Sequence, residues 1–129
     1  MNYLILTAGV IAALATIGHT TMGSKKFLRP VMKSDLDLTV KKVMQSLFHY
    51  MSVFMVLTTF FLIAISTGGC QQFENTPDVV KLIGFIYAGF AIVQFIIAAT
   101  SKIKMGIFKL FQWIFWALIA FFTLFSVYG

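Results

Sequence analysis

The sequence contains little of what most soluble enzymes use: one cysteine, four acidic residues, two histidines and two prolines in 129 residues. Because Cys70 is alone, one copy of the chain cannot form an internal disulfide, a Cys-x-x-Cys redox pair or a cysteine-rich zinc site. The acidic residues Asp35, Asp37, Glu74 and Asp78 all fall in polar links between apolar segments. Exporters and proton carriers that depend on a carboxylate within the membrane are therefore disfavoured.

Charge is also scarce, since only 11% of the residues are charged while 60% are hydrophobic, and the mean hydropathy is +0.93. This composition is typical of an integral membrane protein. A bilayer core of about 30 Å requires roughly 20 apolar residues in helical form. Four such runs, at residues 3–22, 43–66, 79–100 and 107–128, predict an all-α, antiparallel bundle of four transmembrane helices in a single domain, 1–129.

The basic residues are distributed unevenly along the chain. Nine of the ten lie in or beside the first and third links, and only Lys81 lies near the second. Because positive residues stay cytoplasmic, we expect cytoplasmic basic loops, both termini outside and a bacterial inner membrane as the location. Lys25, Lys26 and Arg29 are predicted to contact lipid head groups. An exposed basic face for nucleic acid is not expected.

Small residues and turn residues predict how the first helix packs and ends. A stripe of small side chains at helical spacing is expected to face the bundle, because small residues let helices approach closely in lipid. The stripe consists of Gly9, Ala13, Thr16, Thr20 and Gly23. Pro30 is expected to end this helix, and Ser34-Asp35 or Asp37 to cap the next one.

Polar side chains recur at one depth in all four segments. Counted from the nearest lysines at about 1.5 Å per residue, four of them lie roughly 9 to 12 Å inside the basic boundary. Two more share helical stripes with members of this layer. The full set is His19, Gln45, His49, Tyr87, Gln94 and Gln112. Because unpaired polar groups are costly in lipid, we expect these side chains to meet inside the bundle.

Three interpretations of this layer stay open at the level of sequence. It is a structural hydrogen-bond network that fixes helix pairing. Alternatively it is a ligand site, in which His19 and His49 supply both axial ligands of haem b or part of a metal site, or hold a quinone head group together with Gln and Tyr side chains. The third interpretation is a path for a proton or small solute, which the absence of intramembrane acids disfavours.

The first half of the chain carries a recognisable pattern. Gly18-His19-x-x-x-Gly23 is followed by Phe27-Leu28-Arg29-Pro30 and then by His49. This pattern resembles a group of small uncharacterised bacterial four-helix integral membrane proteins, which often show Gly-His-Ser-x-x-Gly-Glu, an aliphatic-Arg-Pro stretch and a Trp-His pair. Here Thr20, Ser24 and Phe48 stand at the positions of the Ser, the Glu and the Trp. The resemblance implies the same threading and a role for both histidines, and it implies no reaction.

These observations predict a non-catalytic membrane protein. Because almost none of the chain lies outside the predicted membrane spans, we expect it to act as a subunit or scaffold of a homo-oligomer or of a larger membrane complex. The alternative is a haem- or quinone-binding redox protein that uses His19 and His49, and the second alternative is a small-solute or proton pathway. The sequence contains no visible catalytic constellation.

Overall fold

A computed structural model describes residues 1–70 and 75–129, so that Glu74 lies outside the described residues. The described part contains five helices and no strand. We number them in chain order: α1 Tyr3–Lys33, α2 Leu38–Ser66, α3 Thr76–Thr100, α4 Gly106–Lys109 and α5 Gln112–Tyr128. The predicted all-α class is thereby confirmed.

Three helices of the described part, α1, α2 and α3, are long and apolar enough to cross a membrane. At about 1.5 Å per residue of α-helix, the 29 and 25 residues of α2 and α3 correspond to about 43 and 37 Å, and the 16 and 5 α-helical residues of α1 to about 31 Å without its π-helical part. Each exceeds the roughly 30 Å of a bilayer core. The fourth apolar helix, α5, has 17 residues and is about 26 Å long. The structure thus contains three full-length apolar helices and a shorter fourth one.

The prediction that Pro30 ends the first helix is wrong. Residues His19–Leu28 form a π-helix, in which the Arg29 N–H donates to the carbonyl of Ser24, and α-helix resumes over Arg29–Lys33. Pro30 falls in the first turn of that resumed α-helix, where proline is tolerated because its missing N–H is not needed. Helix α1 therefore continues well beyond residue 22, past the predicted end of the first span.

Helix α2 begins at one of its predicted caps. The carboxylate of Asp37 accepts a hydrogen bond of 2.8 Å from the Thr39 N–H. This bond satisfies one of the free donors at the helix start and holds the pKa of the Asp37 carboxyl below its usual range. The link between α1 and α2 is only four residues long, which makes the two helices an antiparallel hairpin.

The predicted fourth span, residues 107–128, is interrupted. The short helix α4 ends at Lys109, and α5 begins at Gln112. The indole N–H of Trp113 donates to the carbonyl of Ile107 at 3.1 Å, which is the carbonyl that the Phe111 N–H would bond in a continuous α-helix. A side chain thus takes the place of a backbone donor, and the helix breaks without proline or glycine at the break.

Neighbouring helices are antiparallel and pack through small residues. The main contacts of α1 are with α2 and α5, and α3 packs chiefly on α5. Ala8, Ala12 and Ala15 are buried along α1. At Gly84 on α3 a Cβ atom would lie 2.7 Å from Thr123 Oγ1 of α5. Such close approach is typical of helix packing in lipid.

Aromatic rings join α2, α3 and α5 near the middle of the molecule. Tyr87 is fully buried, and its hydroxyl lies 2.8 Å from Thr58 Oγ1. Its ring lies 5.7 Å from that of Phe54 and 5.6 Å from that of Trp116, measured between centroids. Helices α2 and α3 have few other contacts, so this cluster provides much of the packing between them.

We expect Gly84→Leu to lower the free energy of unfolding by about 1 to 3 kcal/mol, because the added side chain collides with Thr123 and Leu124 and overpacks the α3–α5 interface. Gly89→Leu is the matched control, since a Cβ at Gly89 meets no atom within 4 Å. Unfolding in mixed micelles titrated with SDS and followed by circular dichroism measures both. Equal stability of the two variants would contradict this packing.

Candidate functional site

A cavity of about 450 Å³ opens between α1 and α5 at the end of the molecule that carries the basic residues. Its volume is in the range of small-molecule sites. Polar side chains in its wall are His19, Lys26, Lys109 and Gln112, and two glycines, Gly18 and Gly23, also line it. The remaining lining residues are Leu14, Ala15, Met22, Phe27, Phe48, Phe111, Phe115 and Trp116.

The π-helical segment keeps the α1 wall on one side of the helix. The α1 lining residues form two rows at a spacing of four, which are Leu14, Gly18, Met22, Lys26 and Ala15, His19, Gly23, Phe27. Four residues of α-helix rotate through slightly more than one full turn, because a turn has 3.6 residues. Four residues of the wider π-helix rotate through slightly less than one full turn. The two rotations have opposite signs and largely cancel along α1, so both rows continue to face α5.

The Gly18-His19-x-x-x-Gly23 pattern has a definite role in this geometry. The ring of Phe48 stacks on the imidazole of His19, with 4.1 Å between centroids and 17° between planes. It also lies over Gly23, where a Cβ would be 3.5 Å from the Phe48 ring. At Gly18 a Cβ meets nothing within 4 Å. Gly23 therefore contacts the aromatic ring, and Gly18 leaves the cavity open.

Two polar side chains in the wall differ in how they are satisfied. His19 Nε2 lies 3.1 Å from the Phe48 carbonyl and 3.1 Å from Ser52 Oγ. Gln112 Oε1 is buried and has no hydrogen-bond partner. A buried acceptor without a donor costs free energy of about 1 to 3 kcal/mol. Gln112 is thus the one lining residue with an unpaired buried acceptor among those that the structure describes.

The charged side chains among the described residues that line the cavity are two lysines. Lys26 on α1 and Lys109 at the end of α4 both border it and are otherwise exposed. None of the described residues that line it carries a carboxylate. Apolar walls with two ammonium groups at the rim favour a molecule with an apolar body and a negative head.

His49 does not join this site, contrary to the expectation that both histidines meet inside the bundle. Phe48 turns toward α1, and the next residue projects about 100° further round α2. His49 is accordingly exposed, and its ring lies edge-on to Phe48 at 5.7 Å. The two imidazoles are therefore not placed on opposite sides of a shared space, and this arrangement does not fit haem b held by His19 and His49.

The other predicted layer residues are also dispersed. Gln45 accepts a hydrogen bond of 3.1 Å from Lys42 Nζ on its own helix. Tyr87 is bonded to Thr58 in the core and is separated from the cavity by Trp116. Gln94 is half-buried on α3 and is not among the lining residues. Of the six predicted side chains, the cavity brings together only His19 and Gln112, so a quinone site built from His, Gln and Tyr is not assembled.

The predicted lipid-contacting residues lie on the π-helical part of α1 and just after it. Lys25, Lys26 and Arg29 are all exposed, and of these only Lys26 lines the cavity. Sequence reasoning missed Lys109, Phe48 and Trp116. Lys109 precedes Gln112 by three residues, a spacing that places two side chains on one side of a regular helix. This spacing is the sequence feature that could have predicted Lys109 as a site residue.

Elsewhere, the described residues offer one smaller cavity and no grouped metal ligands. A smaller cavity of about 270 Å³ lies at the opposite end, and no charged residue is among the described residues that line it. Among residues 1–70 and 75–129, no three His, Cys, Asp or Glu side chains are grouped closely enough to hold a metal ion. The cavity between α1 and α5 is therefore the candidate site.

No protein-family model matches the chain, and no curated protein or solved structure is significantly similar to it. The resemblance of the first half to small bacterial four-helix membrane proteins stays a prediction. The function proposed below depends on the geometry of the cavity.

We expect His19→Ala to lower the free energy of unfolding by about 1 to 2 kcal/mol, because it removes the bond to Phe48 and Ser52 and the ring stacking. His49→Ala is the control and should stay within about 0.5 kcal/mol of wild type, since its side chain is exposed. The same preparations give a visible spectrum. A Soret band lost in both variants would contradict the conclusion that the two histidines do not share a haem.

Proposed function

We propose that the chain is an integral membrane protein that crosses the bilayer four times and works without catalysis, as a subunit that binds an amphiphilic molecule in the cavity between α1 and α5. The observation that carries this proposal is the cavity itself: about 450 Å³, mostly apolar, with Lys26 and Lys109 at its rim. Membrane-spanning helices with polar groups at one end of a pocket are suited to hold such a molecule.

The depth of the cavity supports an amphiphile rather than a soluble ligand. Tyr3 and Tyr128 are exposed at the end opposite the nine basic residues of the first and third links, as expected for tyrosines at a membrane interface. About 20 residues counted from Tyr3 along α1 cross the core and reach Met22. The lining extends from Leu14 to Phe27, so its inner part lies in the hydrocarbon and Lys26 lies at head-group level.

The fourth crossing involves α4 and α5 together. Helix α5 alone is shorter than the bilayer core, but the segment from Gly106 to Tyr128 has the required length when the break at residues 110 and 111 is included. The freed carbonyl at Ile107 is paired with Trp113, which makes an interrupted helix tolerable in lipid. The positive-inside rule assigns the basic links to the cytoplasm. With four crossings, both termini therefore lie on the other side of the membrane.

The cavity can be closed by one substitution. We expect Gly18→Leu to remove the bound amphiphile, because a side chain at Gly18 projects into open space within the cavity and meets no atom that would shift it. The measurement is native mass spectrometry of protein purified in mild detergent, with the retained molecules counted per chain. Wild type is expected to hold one molecule that survives collisional activation, and Gly18→Leu none.

Gly89→Leu is the matched control for this experiment. It makes the same substitution in another helix, at an exposed position with open space around the new Cβ, and it brings the same gain in helix propensity. It should retain the molecule as wild type does. Equal retention by Gly18→Leu and wild type would refute the proposed binding function. The same spectra give the number of chains per particle and so test the predicted homo-oligomer.

Cys70, in the link after α2, gives a direct test of the threading in the intact chain. We expect a membrane-impermeant maleimide to label it in intact spheroplasts, because this link lies on the side of the termini. In the control, Cys70→Ser combined with Asp35→Cys, the thiol lies in the first basic link and is labelled only after lysis. The reverse pattern would overturn the proposed orientation.

A further inference from the structure

We propose that the occupant of the cavity is a single anionic phospholipid whose head group carries a free hydroxyl, with the phosphate between Lys26 and Lys109 and the hydroxyl donating to Gln112. This inference rests on the proposed function and specifies the ligand. Three observations carry it: two exposed lysines among the lining residues, one unpaired buried acceptor in the wall, and walls that are otherwise mostly apolar.

The charge at the rim selects a phosphate. Lys26 and Lys109 approach the cavity from different helices, and no lining residue of the described chain offers a carboxylate to neutralise them. A phosphodiester supplies a full negative charge and several acceptor oxygens for lysine donors. A neutral amphiphile would leave both ammonium groups without a counter-charge at the membrane surface, where each lysine interacts favourably with anionic lipid.

The unpaired atom selects a hydroxyl. Gln112 Oε1 is an acceptor, so it needs a donor from the ligand. The carbonyl oxygens of an oxidised quinone are acceptors and cannot supply it, and His19 Nε2 is already engaged by Phe48 and Ser52. The terminal amide of glutamine rotates within a broad torsional range. A small rotation therefore turns Oε1 from the wall toward a head-group hydroxyl without displacing α5.

The apolar walls select a lipid over a soluble phosphate. Leu14 and Phe115 line the cavity, and Leu14 lies two turns of α1 further into the membrane than Met22. A free sugar phosphate or glycerol phosphate would leave this surface uncovered. An acyl chain covers it and remains continuous with the surrounding bilayer.

The test is native mass spectrometry of the full chain, stripped of copurified lipid and titrated with lipids of identical acyl chains. The probes are phosphatidylglycerol, phosphatidylmethanol and phosphatidylethanolamine, with glycerol phosphate as the soluble anion. Phosphatidylmethanol has the same phosphodiester charge as phosphatidylglycerol but no head-group hydroxyl. We expect one saturable site with affinity for phosphatidylglycerol about five- to tenfold above that for phosphatidylmethanol, the size expected from one hydrogen bond to a buried acceptor. Phosphatidylethanolamine, whose net charge is zero, should bind more weakly than both.

Three variants separate the contributions. Gln112→Leu should lower phosphatidylglycerol binding to the level of phosphatidylmethanol and leave phosphatidylmethanol binding unchanged, which also shows that the variant is folded. Lys26→Gln and Lys109→Gln should each weaken both anionic lipids about threefold or more. Lys33→Gln, on the same helix but away from the cavity, is the control for lost charge and should leave both affinities unchanged.

Several outcomes would overturn the inference. Equal affinities for phosphatidylglycerol and phosphatidylmethanol, unaffected by Gln112→Leu, would exclude the hydroxyl contact. Competition by glycerol phosphate at the concentration of the lipid would assign the site to a soluble anion. An effect of Lys33→Gln equal to that of Lys26→Gln would reduce the preference to general surface charge. A neutral amphiphile that is retained by wild type and lost in Gly18→Leu would refute the phospholipid and leave the proposed function standing.

Discussion

The ring of Phe48 packs against α1, where it stacks on His19 and lies over Gly23 one turn further on. The arrangement of the helices at the basic end depends on this contact. It sets the rotation of α2 about its own axis, since the hydrogen bonds from His19 to the Phe48 carbonyl and to Ser52 allow only one alignment. With Phe48 turned inward, His49 must turn outward. The same contact leaves the space beside Gly18 unfilled, and that space is part of the cavity.

The helices pack closely near the middle of the molecule, and α1 and α5 are separated by the cavity at the basic end. Ala8, Ala12 and Ala15 on α1 and Gly84 on α3 let helix backbones approach closely, as small residues do in lipid. Two departures from regular α-helix then border the cavity: the π-helical segment His19–Leu28 and the break between α4 and α5. π-helical turns are frequent at functional sites because they re-aim side chains within a continuous helix. Here one departure aligns the α1 wall, and the other places Lys109 at the last residue of α4 and Gln112 at the first residue of α5.

Sequence reasoning reached part of the site because depth in a membrane can be counted along a helix. Distance from the nearest lysines placed His19 and Gln112 at one height, and the structure brings both to the same cavity. The count gives height and no rotation, so it also admits His49 and Gln94, which do not line the cavity. Pro30 and Trp113 show a second limit. Proline predicts the end of a helix, but Pro30 is accommodated where the π-helix returns to α-helix. The break at residues 110 and 111 has no glycine or proline that would predict it.

The sequence by itself determined the helical class, the presence of apolar helices long enough to span a bilayer and the basic end, and it offered Asp37 as one of two candidate caps of α2. These properties depend on residues within a few turns of one another, namely on hydropathy, charge and the donors of a helix start. Only the tertiary structure decided which side each helix presents, where α1 becomes π-helical and where the last helix breaks. Those features arise from contacts between residues far apart in the chain, such as Phe48 with His19, or from a side chain that competes for a backbone carbonyl. Periodicity contains no information on either.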